Sequence, residues 1–482
     1  MIQIKIIIVV FTKIIPMKKL SLCIFLVLMF SLFTSHSFAA GCKIPKKPKE
    51  KIIEAPEAIL KQQKTSTSRI EKVLAKRKTI NVFRAWNKEY GTERYGLYWT
   101  KAPDPPGPSN LSLMEVYWNY HLPNVRIANY PGIEKFLIKK NWDAKGHGTG
   151  GEYGKTIWVD FFHPDFAEYF ANLVFKLAKS GTYGFFVHDG IILDWWHNEQ
   201  PGASENKVKK ARKKIAEAIR NKMGKEFIIL ANTGWFKDRS THNFINGVFL
   251  ELSKWVSGRT EGKYSCSEIL YIEKLIKLHD QHLSEPRIIA VGAKKITKPS
   301  KELDKELEKE LVEKFRKEIC EIKIKNVFQY HGIDQYEFCE VCKFNDCSHV
   351  GVYNMDNKYG EQLRKYLNMN SSSTDRSSPE NIQFAKLFTA MAMVIPENGY
   401  ILYGDNNRDS HLGDHYHTYY DFYNIDLGKS TSHGMEITEG LGYKKYEKGL
   451  IAYNRTKFKY IIKFKDGKKV EIGPLEGVFV KD

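Results

Sequence analysis

Three acidic side chains stand where short apolar runs break off. They are Asp160 after Ile157-Trp158-Val159, Asp194 after Ile191-Ile192-Leu193, and Glu251 after Val248-Phe249-Leu250. An uninterrupted apolar run of this kind suits a strand buried on both faces of a parallel sheet. Carboxylates collected at the carboxyl ends of such strands can flank one bond. One kept protonated and one ionised are what glycoside hydrolysis requires. Asp194 and Glu251, two strands apart, form the candidate catalytic pair. Asp160 and Asp189 are the supporting acids, placed to bind substrate or tune the pair. A blander reading stands beside this one: an Asp at a strand end often caps the next helix, and Asp189 before Gly190 suits a turn.

The neighbours of these acids are aromatic or amide-bearing. Trp195 and Trp196 follow Asp194 directly, Trp235 follows Ala231-Asn232-Thr233-Gly234, and Trp255 follows Glu251. Rings present flat apolar faces to sugars, and Asn232 and His197 offer hydrogen bonds to hydroxyls. Each tryptophan taken alone is equally a packing residue. His163 and His188 read as structural.

The elements that must position these residues alternate. A strand beginning at Ile80 opens the series, and Tyr95–Thr100 and Glu115–Tyr120 are competing candidates for the second strand. Strands then recur at 157–161, 184–194, 227–230, 247–250, 288–291 and 400–403. Helical spacing occupies 164–180, 203–223, 267–282 and 382–394. Repeated strand–helix alternation predicts an α/β fold, a TIM (β/α)8 barrel whose site lies at the carboxyl ends of the strands. From about His415 the pattern changes to aromatic and β-branched alternation with a Lys465-Asp466-Gly467 turn, which predicts an antiparallel β-sandwich. The expected division is a signal peptide over 1–41, a basic tether and leading helix over 42–78, the barrel over 79–410 with a cysteine-containing insertion at about 300–370, and the β domain over 411–482.

With the elements in place, a family resemblance becomes usable. Trp158-Val159-Asp160, Pro164, the Asp189-Gly190-Ile191-Ile192-Leu193-Asp194 run, Ala231-Asn232-Thr233-Gly234 and the acid on the following strand occur in an order that resembles the hypothetical glycosyl hydrolase family 15. So do Asp426-Leu427-Gly428, Lys448 to Asn454 and Ile472-Gly473-Pro474 in the tail. The family is one of inferred TIM-barrel glycosidases related to the α-galactosidase-type barrels. The resemblance implies a strand-4 Asp as nucleophile or base and a later strand-end acid as proton donor, which fall on Asp194 and Glu251. The region around 300–370 and residues 117–129 depart from the pattern.

Composition narrows the partners. The net charge of +19 comes largely from lysine runs at 43–51, 207–214 and 294–305, with no arginine-rich arm or nucleic-acid motif. A carbohydrate substrate is expected and no nucleic acid. The glycine-rich stretch 144–154 lacks the Gly-Lys-Ser/Thr of a phosphate loop and reads as a loop over the site. Met17-Lys18-Lys19, an apolar core over 20–33 and small residues up to Ala40 predict export, to the periplasm or the cell surface. Two endings are open: ordinary cleavage after Ser37-Phe38-Ala39, or a lipoprotein box at Ala39-Ala40-Gly41-Cys42 with membrane anchoring through a lipidated Cys42. No cofactor is expected. Cys339, Cys342, Cys347 and His349 form a weak zinc candidate beside the disulfide reading. His411, Asp414, His415 and His417 form a weaker one. A non-catalytic glycan-binding barrel on the cell surface is the alternative. A lyase or deacetylase would need a His/Tyr base or a metal triad, neither of which stands at the strand ends.

Overall fold

A computed structural model describes residues 42, 44–61, 68–75, 79–85, 96–100, 110–121, 130–136, 157–180, 188–197, 203–252, 264–294, 378–404 and 419–482. The expected signal peptide, the cysteine-containing insertion, the glycine-rich loop, Trp255 and the 411–417 histidine cluster lie outside them.

Eight strands form one parallel sheet. In chain order they are β2 (Phe83–Arg84), β3 (Leu97–Thr100), β4 (Leu111–Val116), β7 (Gly190–Leu193), β8 (Ile228–Asn232), β9 (Gly247–Leu252), β10 (Ile288–Lys294) and β11 (Asn398–Gly404), and each pairs with the next. The sheet curls until its edges touch. Val82, just before β2, makes a parallel bridge to Ile401 of β11, and the Ile401 amide donates to the Asn81 carbonyl at 2.9 Å. Of the competing segments for the second strand, Tyr95–Thr100 contains β3, whereas Glu115–Tyr120 shares only Glu115 and Val116 with β4, which begins at Leu111; the Asp194 strand is fourth in the sheet.

Period-2 alternation sorts these strands into two cores. Leu111, Leu113, Ile192, Leu230, Phe249 and Ala290 fill one, inside the curl. Met114, Val116, Ile191, Leu193, Ile229 and Val291 fill the other, beneath α2 (Phe166–Ser180), α3 (Glu205–Met223), α4 (Cys266–His282) and α5 (Pro379–Val394). The helices begin where capping chemistry allows. Ser265 and Glu268 form a reciprocal capping box at α4, and Ser378 caps α5 with Pro379 in its first turn. Gly190 starts β7 because a Cβ there would lie 2.2 Å from the Ile228 carbonyl oxygen.

The amino-terminal segment departs from expectation. Residues 50–54 are not tether but strand β1 (Glu50–Glu54). The leading helix expected within 42–78 is limited, among the described residues, to α1 (Arg69–Ala75). Ile70 and Val73 of α1 join the inner core, and Arg69 reaches Asp189 just ahead of β7. α1 therefore packs at the amino-terminal ends of the strands. Ile157–Trp158 is also no member of the main sheet. As β6 it pairs antiparallel with β5 (Tyr120–His121).

Among the described residues the carboxyl-terminal part forms a separate antiparallel sheet, as the alternation predicted, and contributes two strands to a second, mixed sheet. The antiparallel sheet holds β12 (Met435–Thr438), β13 (Leu441–Tyr446), β14 (Gly449–Asn454) and β17 (Glu476–Lys481). The other holds β15 (Lys459–Lys463) and β16 (Lys469–Ile472), with β1 added parallel to β15. Tyr460, Ile462 and Ile472 meet Leu441, Tyr443 and Leu450 in one core between the sheets. The Asp466-Gly467 turn joins β15 to β16, with Gly467 at φ 86° and Asp466 accepting from the Lys468 amide. β14 also contacts α4: the Tyr453 hydroxyl donates to Glu273 Oε1 at 2.7 Å, and Arg455 pairs with the same carboxylate.

Cys42 is disulfide-bonded to Cys266, the first residue of α4. This corrects the lipid-anchor expectation: a sulfur held in a disulfide cannot also carry a thioether-linked lipid. No described helix is long and apolar enough to cross a membrane.

Candidate active site

Parallel strands all run the same way, so their last inward residues share one rim. Following Leu111 and Leu113, the next inward position of β4 is Glu115. Following Ile192 on β7 it is Asp194, following Leu230 on β8 it is Asn232, and following Phe249 on β9 it is Glu251. The apolar interior thus ends in three acids and one amide, contributed by four successive strands of the sheet.

Asn232 Nδ2 donates to Asp194 Oδ1 and to Glu251 Oε2, each at 2.9 Å. Asp194 Oδ1 also accepts from the Trp195 amide at 3.0 Å, and Trp118 Nε1 donates to the Asp194 carbonyl at 2.8 Å. Asp194 is 7% exposed and Glu251 is half-buried. Burial first, then the negative charges of Glu115 and Glu251, push the Asp194 carboxyl up to about 8; the Asn232 and Trp195 N–H groups pull the other way. At neutral pH the substrate-free site therefore holds a proton on Asp194.

The aromatic neighbours divide. Trp195 has a left-handed backbone, φ 53°, and the residue is 48% exposed beside the site. Trp196 is 1% exposed, which corrects its placement as a sugar wall. Its Nε1 bonds to Thr241 Oγ1, its ring meets Trp118 edge-on at 4.7 Å, and the Arg212 guanidinium covers it at 5.2 Å. His197 is half-buried and stacks on Phe236 at 5.0 Å. Burial and then the Arg212 charge lower its pKa to about 4, so its imidazole is neutral. Trp235 is half-buried against Tyr271, whose hydroxyl donates to the Trp235 carbonyl.

Two supporting acids are elsewhere. Asp189 precedes β7 and Asp194 follows it, which puts them at opposite ends of one strand, about 16 Å apart. Asp189 is spent on α1: Arg69 Nε and Nη2 donate to its two oxygens at 2.7 and 3.2 Å, and the Ser112 amide donates to Oδ2 at 3.1 Å. Asp160 follows β6, outside the main sheet, and is a turn residue. Its Oδ1 accepts from the Phe162 amide on the approach to α2, and its own amide donates to the Phe136 carbonyl. Both are corrections to the substrate-binding set. Among the described residues no group of His, Cys, Asp and Glu could hold a metal; Cys339, Cys342, Cys347 and His349 fall outside them.

Sequence reasoning missed Glu115 and Trp118. The signal for Glu115 was present: one acid in Leu-Ser-Leu-Met-Glu-Val, in step with Leu111 and Leu113. It was passed over because the strand was started at Glu115 rather than ended there. Trp118 carried no signal separating it from the other tryptophans.

No family model and no curated protein matches this chain, so membership of the hypothetical glycosyl hydrolase family 15 is not shown. Solved structures that it resembles in part include the glycoside hydrolase domain of PelA from Pseudomonas aeruginosa (10% identity, TM-score 0.32, 50% of this chain and 92% of that one). Another is Aspergillus fumigatus Ega3 in complex with galactosamine (9%, 0.31, 48% and 85%). A third is the α-galactosidase of Thermus thermophilus (11%, 0.27, 44% and 53%). At these scores the likeness is partial.

Proposed function

We propose that this protein is an exported glycoside hydrolase that cleaves a poly- or oligosaccharide with Asp194 and Glu251 at the rim of a (β/α)8 barrel over 79–410, followed by a β-sandwich over 411–482. The observation that carries the reading is the shared donor. Two oxygens each 2.9 Å from one nitrogen lie no further apart than twice that distance. Carboxyl groups about 5–5.5 Å apart suit a retaining mechanism, whereas about 6.5–9.5 Å leaves room for an inverting water.

Asp194 attacks the anomeric carbon while Glu251 protonates the departing oxygen. Glu251 then takes a proton from the water that hydrolyses the glycosyl ester. Because the proton rests on Asp194 before substrate arrives, it must move to Glu251 on binding. Positive charge at the anomeric centre, which develops only as the glycosidic bond breaks, then stabilises the Asp194 carboxylate through the attack. Trp195 offers a sugar-stacking face, with Asn232, His197 and Trp235 around it. The Cys42–Cys266 disulfide suits an oxidising compartment and so supports export.

A second reading draws on the same pKa. A neutral Asp194 can donate a hydrogen bond to a sugar hydroxyl, as a non-catalytic glycan-binding barrel would need. Screening labelled oligosaccharides, acidic ones included, separates the two. The hydrolase releases new reducing ends and loses at least about 10³-fold in Asp194→Asn and in Glu251→Gln. Binding without release by the wild-type protein supports the binder, and hydrolysis unchanged in both variants removes the pair from the chemistry.

A further inference from the structure

The proposed pair does not use Glu115, yet the fold brings it to the same rim. We infer that Glu115 is a positioning residue, a third acid that acts through Asp194 to decide which carboxylate carries the proton of the site. The inference rests on the glycosidase reading for its catalytic consequence, but not for its electrostatic one.

Three observations carry it. First, Glu115 continues the inward series Leu111, Leu113 on β4, at the end of a strand whose described side chains are all buried. An acid there faces the interior of the curl rather than the helices. Second, the register sets Glu115 beside Ile192 of β7, so Asp194 lies two residues further along the adjacent strand. With about 3.3 Å per residue along a strand and about 4.8 Å between strands, the two Cα atoms are about 8 Å apart. That is close enough for two inward carboxyl groups to feel each other strongly in a poorly solvated interior. Third, the charges acting on Asp194, among the described residues, come from β4 and β9 and are both negative: Glu115 and Glu251, with Glu115 the larger influence. β8 contributes only the neutral Asn232.

Two acids flanking a third make its ionisation costly, and the order in which they give up protons belongs to the group, not to one residue. Burial and then Glu115 keep Asp194 protonated and therefore uncharged in the empty site. A carboxylic acid can be held in that interior without the desolvation cost of an anion. As the glycosidic bond breaks, positive charge at the anomeric centre reverses the preference. Glu115 touches no reacting atom in this scheme.

The test compares wild type, Glu115→Gln, Glu115→Asp and Asp194→Asn by carboxyl titration in difference infrared spectra, alongside kcat/KM against pH. The protonated-carboxyl band that persists to neutral pH is expected to vanish in Asp194→Asn. In Glu115→Gln it should titrate about one pH unit lower, a tenfold change in proton affinity, and in Glu115→Asp it should stay near the wild-type position. The alkaline limb of kcat/KM should move with it. An unmoved band in a folded Glu115→Gln protein overturns the inference whatever the activity. A band that moves in a protein without hydrolysis leaves Glu115 in its role and removes the glycosidase reading instead.

Discussion

Asp194 Oδ1 and Glu251 Oε2 accept hydrogen bonds from one and the same atom, Asn232 Nδ2, each at 2.9 Å. The two carboxyl groups are thus placed by a side chain on the strand between theirs, and neither is free to turn away without breaking its half of the bridge.

Removing that bridge should affect rate and pH dependence together. The Asn232 amide lowers the Asp194 pKa, so Asn232→Ala raises it further above about 8. The proton that Glu251 needs is then kept to higher pH, and the alkaline limb of kcat/KM shifts to higher pH. Loss of a positioned donor costs about 10²-fold in kcat. A pH–rate profile measures both effects, and a profile superimposable on wild type would contradict the bridge.

Asp194 also sets a stability trend. Its folded pKa, about 8, lies above the ordinary value of 3.8. The folded state therefore binds a proton that the unfolded chain has lost. Its contribution to stability is fully present below about pH 4 and is lost as pH rises through about 8. Asp194→Asn removes this dependence. Melting scans should show the variant gaining several degrees over wild type at pH 8 and little or nothing at pH 4; an equal shift at both pH values would count against a protonated Asp194.

The adjacent tryptophans should separate cleanly. Trp196 is buried against Trp118, and Trp196→Ala is expected to cost about 3–5 kcal/mol, read by denaturant unfolding. Trp195 is half in solvent, and Trp195→Ala should change stability by no more than about 0.5 kcal/mol. Its effect should appear in oligosaccharide affinity, measured by calorimetry with the Asp194→Asn protein. Equal stability losses would mean that Trp195 packs as Trp196 does.

Acid should act through a different pair. His242 Nε2 and His279 Nδ1 are 2.8 Å apart, buried, with nearly parallel rings. Burial, chiefly, lowers their pKa values to about 3 and about 4. Both are neutral when folded and take up protons near 6.5 when unfolded. Their stabilisation is complete above about pH 6.5 and is lost as pH falls toward about 3–4. A His242→Gln, His279→Gln double variant should flatten this part of the melting-temperature profile, and an unchanged slope would place the acid sensitivity elsewhere.

What the sequence disclosed follows from the range of each interaction. Apolar runs ending in acids located β7 and β9 and, through parity, their last inward residues, because burial on both faces leaves a local mark. Ile157-Trp158-Val159-Asp160 carries the same mark, yet β6 pairs with Tyr120–His121; partner choice is not a local property. Asp189 and Asp194 looked alike as acids bounding one strand. Only the strand's direction separates the end that meets α1 from the end that meets Glu251. Which of Trp195 and Trp196 faces water was decided by a left-handed backbone at a non-glycine residue, a conformation that composition does not announce. Lys/Pro-rich residues ahead of Pro56 gave no hint of a strand, since the ladder that makes β1 a strand lies at the other end of the chain.

That ladder has a consequence for assembly. Glu50 of β1 is in register with Lys459 of β15, a partner synthesised about 400 residues later, and contacts so far apart in sequence form late and slowly. Strand β1 leaves the ribosome among the first ordered segments and must wait, unpaired, for almost everything else. A chain that stops short of β15 leaves an unclaimed strand, the kind of edge that recruits other chains. The last strands therefore act as a completeness check on the first, and truncated products of this protein should be marked by aggregation.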